Sequence, residues 1–263
     1  MDNIDQTELP YSVPSDEQMI WRYVDRKKFE LLIKNRALFF ARASAFHDAF
    51  EGSFPRSQPE LDRILSFLPH DVIRNATQID IYGLEGLAKW LRHWVFANCW
   101  HMNECESLAM WKLYLKKHKG IVCIQSTFKR LCESLPAHIP HPVFGKNQFH
   151  IGKINYMSYA DGTISTKNIL SPFFCKRQEY SHERELRVVF LDFPIKEDGF
   201  PDREVIPTDM GRYIECNLER LIEKIFVFPA APSQFIERIE KILSKYALQK
   251  PVIRSSLDER PTF

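Results

Sequence analysis

Three clusters in this 263-residue chain have residue types and spacings that chemistry needs. The first is Trp21-Arg22-Tyr23. An arginine flanked by aromatics on a core strand is costly unless it pairs with a carboxylate or binds an anion. Asp48 and Glu51 are the internal carboxylates that could pair with it, and a phosphate-bearing ligand is the alternative. The second cluster is Met110-Trp111-Lys112-Leu113-Tyr114. On a helix Met110, Leu113 and Tyr114 share a face, with Trp111 at its border. Such a stripe serves as core or as an aromatic wall for a planar ligand ring. The third is His182-Glu183-Arg184-Glu185-Leu186-Arg187. Read as the start of a strand, it points Glu183, Glu185 and Arg187 to one face and His182, Arg184 and Leu186 to the other. Two carboxylates about 7 Å apart on one face suit an enzyme that divides recognition and catalysis between them. They would equally suit a solvated strand end balanced by Arg187.

Other chemistries find little support. The chain has no phosphate-binding Gly-rich loop, no H-E-x-x-H, no G-x-S-x-G and no paired C-x-x-C. Cys99, His101 and Cys105 form C-x-H-x3-C with His93 nearby, but the spacing fits no usual zinc pattern and reads as structural. His138 and His141 lack a third ligand, so no metal is expected. Lys and Arg number 36 against 34 Asp and Glu, a net charge of +2, which provides no broad basic field for nucleic acid. The six cysteines are scattered rather than spaced as a disulfide scaffold. The N-terminal M-D-N-I-D-Q-T-E does not read as a signal peptide, and no apolar run approaches a membrane span. A reduced, cytoplasmic protein with no membrane partner is the expectation.

The elements that must position these clusters are mixed in order. Residues 1–18 are polar, with Pro10 and Pro14, and read as a flexible arm; 19–263 reads as one domain. Met19 to Val24 reads as a strand, and Asp25 caps a helix carrying Phe29, Leu32 and Ile33. Ala37 to Ala41 is a buried strand, followed by the turn-rich 46–52 with its two acids. The capping box Ser57-Gln-Pro-Glu60 starts a helix, and 84–94 is another. Val95 to Trp100 and Ile121 to Gln125 read as strands around a helix over 107–117. Ser126 or Thr127 caps the next helix, and 136–148 is a Pro-rich loop. Strands follow over 151–159, 186–193, 225–228 and 252–255, with Ser233 capping a helix that bears Phe235, Ile239, Ile242 and Tyr246 on one face. The spacing predicts an α+β fold, a mixed sheet surrounded by helices. Twenty Phe against nine Gly favour an aromatic core.

Taken together, W-R-Y, A-L-F-F-A-R-A with F-H-D-A-F-E-G, A-M-W-K-L-Y, K-R-x-x-Y-S-H-E-R-E-L-R, I-E-K-I-F-V-F-P and V-I-R-S-S-L resemble a large uncharacterised bacterial family, from about Ile20 to Leu257. A second resemblance carries an activity. An Arg on an early strand, Ser-Thr after a middle strand and Glu-x-Glu on a later one are similar to mono-ADP-ribosyltransferases of the Arg–Ser–Glu type. Arg22, Ser126-Thr127 and Glu183-Arg-Glu185 occupy those places, and Ser126-Thr127 supplies two residues of the usual Ser-Thr-Ser. The resemblance implies an NAD-consuming transferase or glycohydrolase, acting as a toxin or phage-defence effector on a macromolecular acceptor. It implies NAD as substrate, Glu185 beside the cationic ribose, and Glu183 orienting the acceptor. It further implies Arg22 and Ser126 at the dinucleotide, with Tyr23, Trp111 and Tyr114 as aromatic neighbours. Two readings stand beside it: a non-catalytic binding or regulatory domain with an internal Arg–carboxylate network, and a Mg²⁺ nuclease using Asp48, Glu51, Glu183 and Glu185.

Overall fold

The computed structural model describes residues 11–55, 83–116, 120–141, 145–165, 168–199 and 201–259. The helix expected after the Ser57–Glu60 capping box lies outside the described residues. The elements run β1 (Met19–Asp25), α1 (Arg26–Asn35), β2 (Ala37–Arg42), α2 (Gly83–Trp94), β3 (Val95–Met102), α3 (Leu108–Leu115), β4 (Ile121–Thr127) and α4 (Phe128–Ser134). Then come β5 (Ile139–His141), β6 (Gly145–Asn147), β7 (His150–Lys153), β8 (Asn155–Met157), β9 (Cys175–Arg177), β10 (Glu185–Leu191) and β11 (Gly211–Glu215). The chain closes with α5 (Leu218–Leu221), β12 (Lys224–Val227), α6 (Ser233–Lys245) and β13 (Val252–Arg254). The fold is α+β: a nine-stranded mixed sheet with helices packed on it.

The sheet forks at β3. One edge of β3 pairs antiparallel with β10 along its length, from Val95 opposite Leu191 to His101 opposite Glu185. The other edge is shared. β2 meets it at Phe96 and Ala97, and β1 meets it at His101 and Met102. Side chains bridge the gap between these junctions. Asn98 Nδ2 donates to the Phe39 carbonyl at 2.9 Å, and Arg22 Nη1 donates to the Cys99 carbonyl at 2.6 Å. From β1 the sheet continues through β4 and β12 to β13; from β2 it ends at β11.

The strands of the fork bury both faces, which is why they read as apolar runs. Ile20 and Val24 of β1, with Val122 and Ile124 of β4, face Phe29, Leu32 and Ile33 of α1 and Ile239, Ile242 and Leu243 of α6. The alternate residues Trp21, Tyr23, Ile121 and Cys123 pack against Met110 and Trp111 of α3. Asp25 caps α1 by accepting the Lys28 N–H at 2.9 Å, and Arg36 ends it in a left-handed conformation, φ 47°.

One strand expectation is corrected, and the described part of the expected arm has contacts of its own. The Tyr11 ring stacks on Phe174 at 4.1 Å, and the Ser12 carbonyl accepts the Lys153 N–H at 2.8 Å. The glycine at 152 makes room, since a Cβ there would lie 2.1 Å from the Tyr11 ring. The strand expected over 151–159 is two strands. β7 pairs with β10, whose ladder stops at Glu185, and the Ile154 N–H takes the Glu185 carbonyl. With no more β10 to follow, the chain turns and β8 pairs with β9. Among the described residues no helix is long and apolar enough to cross a membrane.

Candidate active site

The site is built where β10 begins beside the His101 end of β3. Residues Gln178–Glu183 form a 3-10 helix that ends at Arg184, left-handed with φ 42°. Glu183 therefore precedes the strand rather than extending its face, correcting the alternation expected from sequence. Glu185 is fixed at its backbone, where its N–H donates to Tyr156 Oη at 2.8 Å.

The Glu185 carboxylate is held by two cations. Arg187 Nε donates to it at 2.7 Å, and Lys176 Nζ of β9 lies 3.5 Å away. Lys176 Nζ also reaches Glu183 at 2.6 Å and Glu51 at 3.5 Å, while Arg187 Nη2 donates to Glu51 at 2.5 Å. Glu51, Lys176, Glu185 and Arg187 expose between 1% and 6% of their surface, so these charges must compensate one another. Burial alone would push the Glu185 carboxyl up; Arg187 and Lys176 outweigh it and hold the group down at about 2. Burial alone would pull Lys176 down; Glu185, Glu51 and Glu183 outweigh it and raise it above its ordinary value. Glu185 is thus a fixed anion, suited to electrostatic stabilisation rather than to proton donation.

A cavity of about 90 Å³ is lined in part by Glu185. Glu183, Glu185, Cys99 and His101 form its polar wall, and Trp21, Tyr23, Met110 and Tyr114 are among its apolar and aromatic walls. This is less than the roughly 150 Å³ that encloses a benzene, so it admits one edge of a planar group. The Tyr23 and Tyr114 rings lie 5.8 Å apart. Burial pushes the Tyr114 hydroxyl up to about 12, which keeps it a donor.

Of the residues singled out from sequence, Glu183, Glu185, Tyr23 and Tyr114 meet at this cavity. Arg22 is not among its lining residues. Its guanidinium lies in the fork, 5.8 Å from the Trp100 ring centroid, and pairs with neither Asp48 nor Glu51. Those acids belong to other cations, Asp48 to Arg177 and Glu51 to Arg187 and Lys176. Trp111 is core: it is fully buried, and its Nε1 donates to Glu106 at 2.9 Å. Ser126 is buried away from the cavity, where its hydroxyl donates to the Leu221 carbonyl at 2.5 Å. Thr127, not Ser126, caps α4.

Sequence reading missed Lys176 and His101. The Lys176 signal was a lysine directly after the apolar Phe173-Phe174-Cys175; His101 was weighed only as a zinc ligand. Of the four acids considered for Mg²⁺, Glu51, Glu183 and Glu185 converge on the Lys176 ammonium instead, and Asp48 pairs with Arg177. Among the described residues no three His, Cys, Asp or Glu side chains are grouped to hold a metal ion.

No protein-family model matches the chain, and no curated protein matches it. Among solved structures it is similar to Thermus sp. 2.9 DarT in complex with NAD+, at 10% identity and a TM-score of 0.42, over 95% of this chain and 100% of that one. The same protein in complex with carba-NAD+ aligns at 11% identity and 0.41, over 94% and 98%. In complex with ADP-ribosylated ssDNA it aligns at 10% and 0.40, over 95% and 100%. Those ligands are the Thermus protein's. A net charge of +2 argues against a broad basic surface but does not speak to a nucleic-acid acceptor held at one point.

Proposed function

We propose that this chain consumes NAD by ADP-ribosyl transfer or hydrolysis at the Glu185 cavity. The observation that carries the reading is the Glu185 carboxylate: buried, kept ionised by Arg187 and Lys176, and forming a cavity wall shared with aromatic rings. Cleaving the nicotinamide–ribose bond sends the bonding pair to the leaving nicotinamide and builds positive charge on the ribose. A carboxylate already fixed beside that carbon stabilises the charge without reorganising. The acceptor, water or a macromolecule, then bonds to the ribose carbon and gives up a proton. Glu183, less buried than Glu185, would orient that acceptor. Arg22 lies outside the cavity lining, with Nη1 donating to the Cys99 carbonyl and its buried Nε without a partner, so a dinucleotide phosphate would have to meet it in the fork. The likeness to the Thermus structures is too loose to bear on this; the reading rests on the chain's own residues.

The test is nicotinamide release from NAD by the purified protein, with single-stranded DNA and protein offered as acceptors. Wild type releases nicotinamide, and Glu185→Gln falls by roughly 10²-fold or more. An NAD-consuming toxin would also drain cellular NAD when expressed.

The second reading is the non-catalytic network, favoured by the mutual pairing of Glu51, Lys176, Glu185 and Arg187. It predicts no NAD turnover and a lower melting temperature for Glu185→Gln as its only effect.

A further inference from the structure

His101, which lines the cavity, carries an unused hydrogen-bond acceptor. The residue is 4% exposed on β3, opposite Glu185. Its Nδ1 lies 2.6 Å from the Glu183 carbonyl oxygen. A carbonyl oxygen only accepts, so Nδ1 carries the proton and Nε2 presents a lone pair. Nε2 is buried and has no hydrogen-bond partner. Buried polar groups are nearly always paired, and an exception in a cavity wall points to a ligand. The occupant must bring a donor to meet it. The neighbouring wall consists of Glu183 and Glu185 with aromatic rings, which favours a planar cation.

We propose that His101 is a specificity-determining residue, whose Nε2 accepts an N–H from a primary amide borne on a cationic aromatic ring. This rests on the NAD reading, in which that ring is the leaving group. It goes further by naming the atom that distinguishes the amide from other substituents of the same shape. Leaving His101 unpaired disfavours a ring that lacks the donor, as sites built around a polar partner do.

The probes are 1-methylnicotinamide and 1-methyl-3-acetylpyridinium, equal in charge and nearly so in shape, the second with a methyl in place of the NH2. Each is titrated into the full chain and followed by calorimetry and by tryptophan quenching, since Trp21 and Trp100 line the cavity. Wild type is expected to bind the amide about 10- to 100-fold more tightly, the worth of one buried hydrogen bond. In His101→Leu the preference falls to about one; in His101→Gln, whose Oε1 accepts, part of it returns. Equal binding of both probes by wild type, no saturable binding of either, or an undiminished preference in His101→Leu would overturn the proposal. Should His101→Leu lose its fold, the nitrogen-15 shift of His101 Nε2 in wild type decides. It moves on adding the amide and stays with the ketone, and a shift that responds to neither or to both equally overturns the proposal. Discrimination between probes without NAD turnover would keep this inference and discard the transferase. Turnover without discrimination would do the reverse.

Discussion

Glu185 stands between two demands, pairing with cations and lining a cavity. Removing its charge therefore has a structural effect and, on the proposed NAD reading, a catalytic one as well. A fully stranded buried charge costs about 3–5 kcal/mol. In Glu185→Gln, Arg187 keeps Glu51 and Lys176 keeps Glu183, so the loss of stability should fall below that range while turnover vanishes. Chemical denaturation of the variant checks this. The pH dependence follows in sign. Glu185 titrates at about 2 when folded against an ordinary 4.5, so its contribution is complete above that ordinary value and fades as pH falls toward 2. A shift of this size is worth on the order of 3 kcal/mol. Burial also pulls His101 below its ordinary 6.5, so proton uptake by the unfolded chain erodes stability from about that pH downward. Both act in one direction: the melting temperature should be level near neutrality and fall in acid, with the step below pH 5 smaller in Glu185→Gln. A melting temperature that rises toward acid would contradict the assignment. At this scale the sequence was half readable. The pairing of Arg187 with a same-face acid follows from strand alternation. His101 was hidden, because the register that sets it opposite Glu185 cannot be read from either strand alone.

The helices and strands were more legible where a periodic apolar face marks them. α6 shows the face without the expected cap: Ser233 is its first helical residue, and Pro232 before it offers no capping side chain. Ile239 and Ile242 are buried as their spacing predicts, while Phe235 is only half-buried against Phe228 and Leu243 completes the face. Ile239→Ala should cost about 2–5 kcal/mol, read as a lowered melting temperature; an unchanged one would mean that α6 does not anchor the sheet. α1 was equally plain, from Asp25 to its buried Phe29, Leu32 and Ile33. The fork was not. β1, β2, β3 and β4 bury both faces, so no alternation marks which neighbour each will take. The break between β7 and β8 was invisible for a related reason: it is set by where β10 begins, more than thirty residues further along the chain.

At the scale of the molecule, Glu106 fastens the C-terminal segment to the body. It accepts from Ser255 Oγ at 2.7 Å, Ser256 N at 2.8 Å and Ser256 Oγ at 2.9 Å, and on its other side from Trp111. The motif V-I-R-S-S-L thus reads as a clasp whose acid is far away in sequence. Glu106→Ala should release 252–259 and make that stretch the first site of limited proteolysis, detectable by mass spectrometry; an unchanged cleavage pattern would show that the clasp is dispensable. The α+β class was legible from the irregular order of elements, whereas the clasp and the docking of 11–18 depend on contacts that no local pattern announces. The shared spine at β3 has a further consequence, for synthesis. The ribosome delivers β1 and β2 first, yet β2 must wait for Gly211 and β3 for Glu185 before their edges are covered. Such distant pairings assemble slowly and leave apolar strands open to wrong partners meanwhile. Soluble yield in a recombinant host should therefore rise with slower translation, lower temperature or added chaperone, long before any change to the mature surface matters.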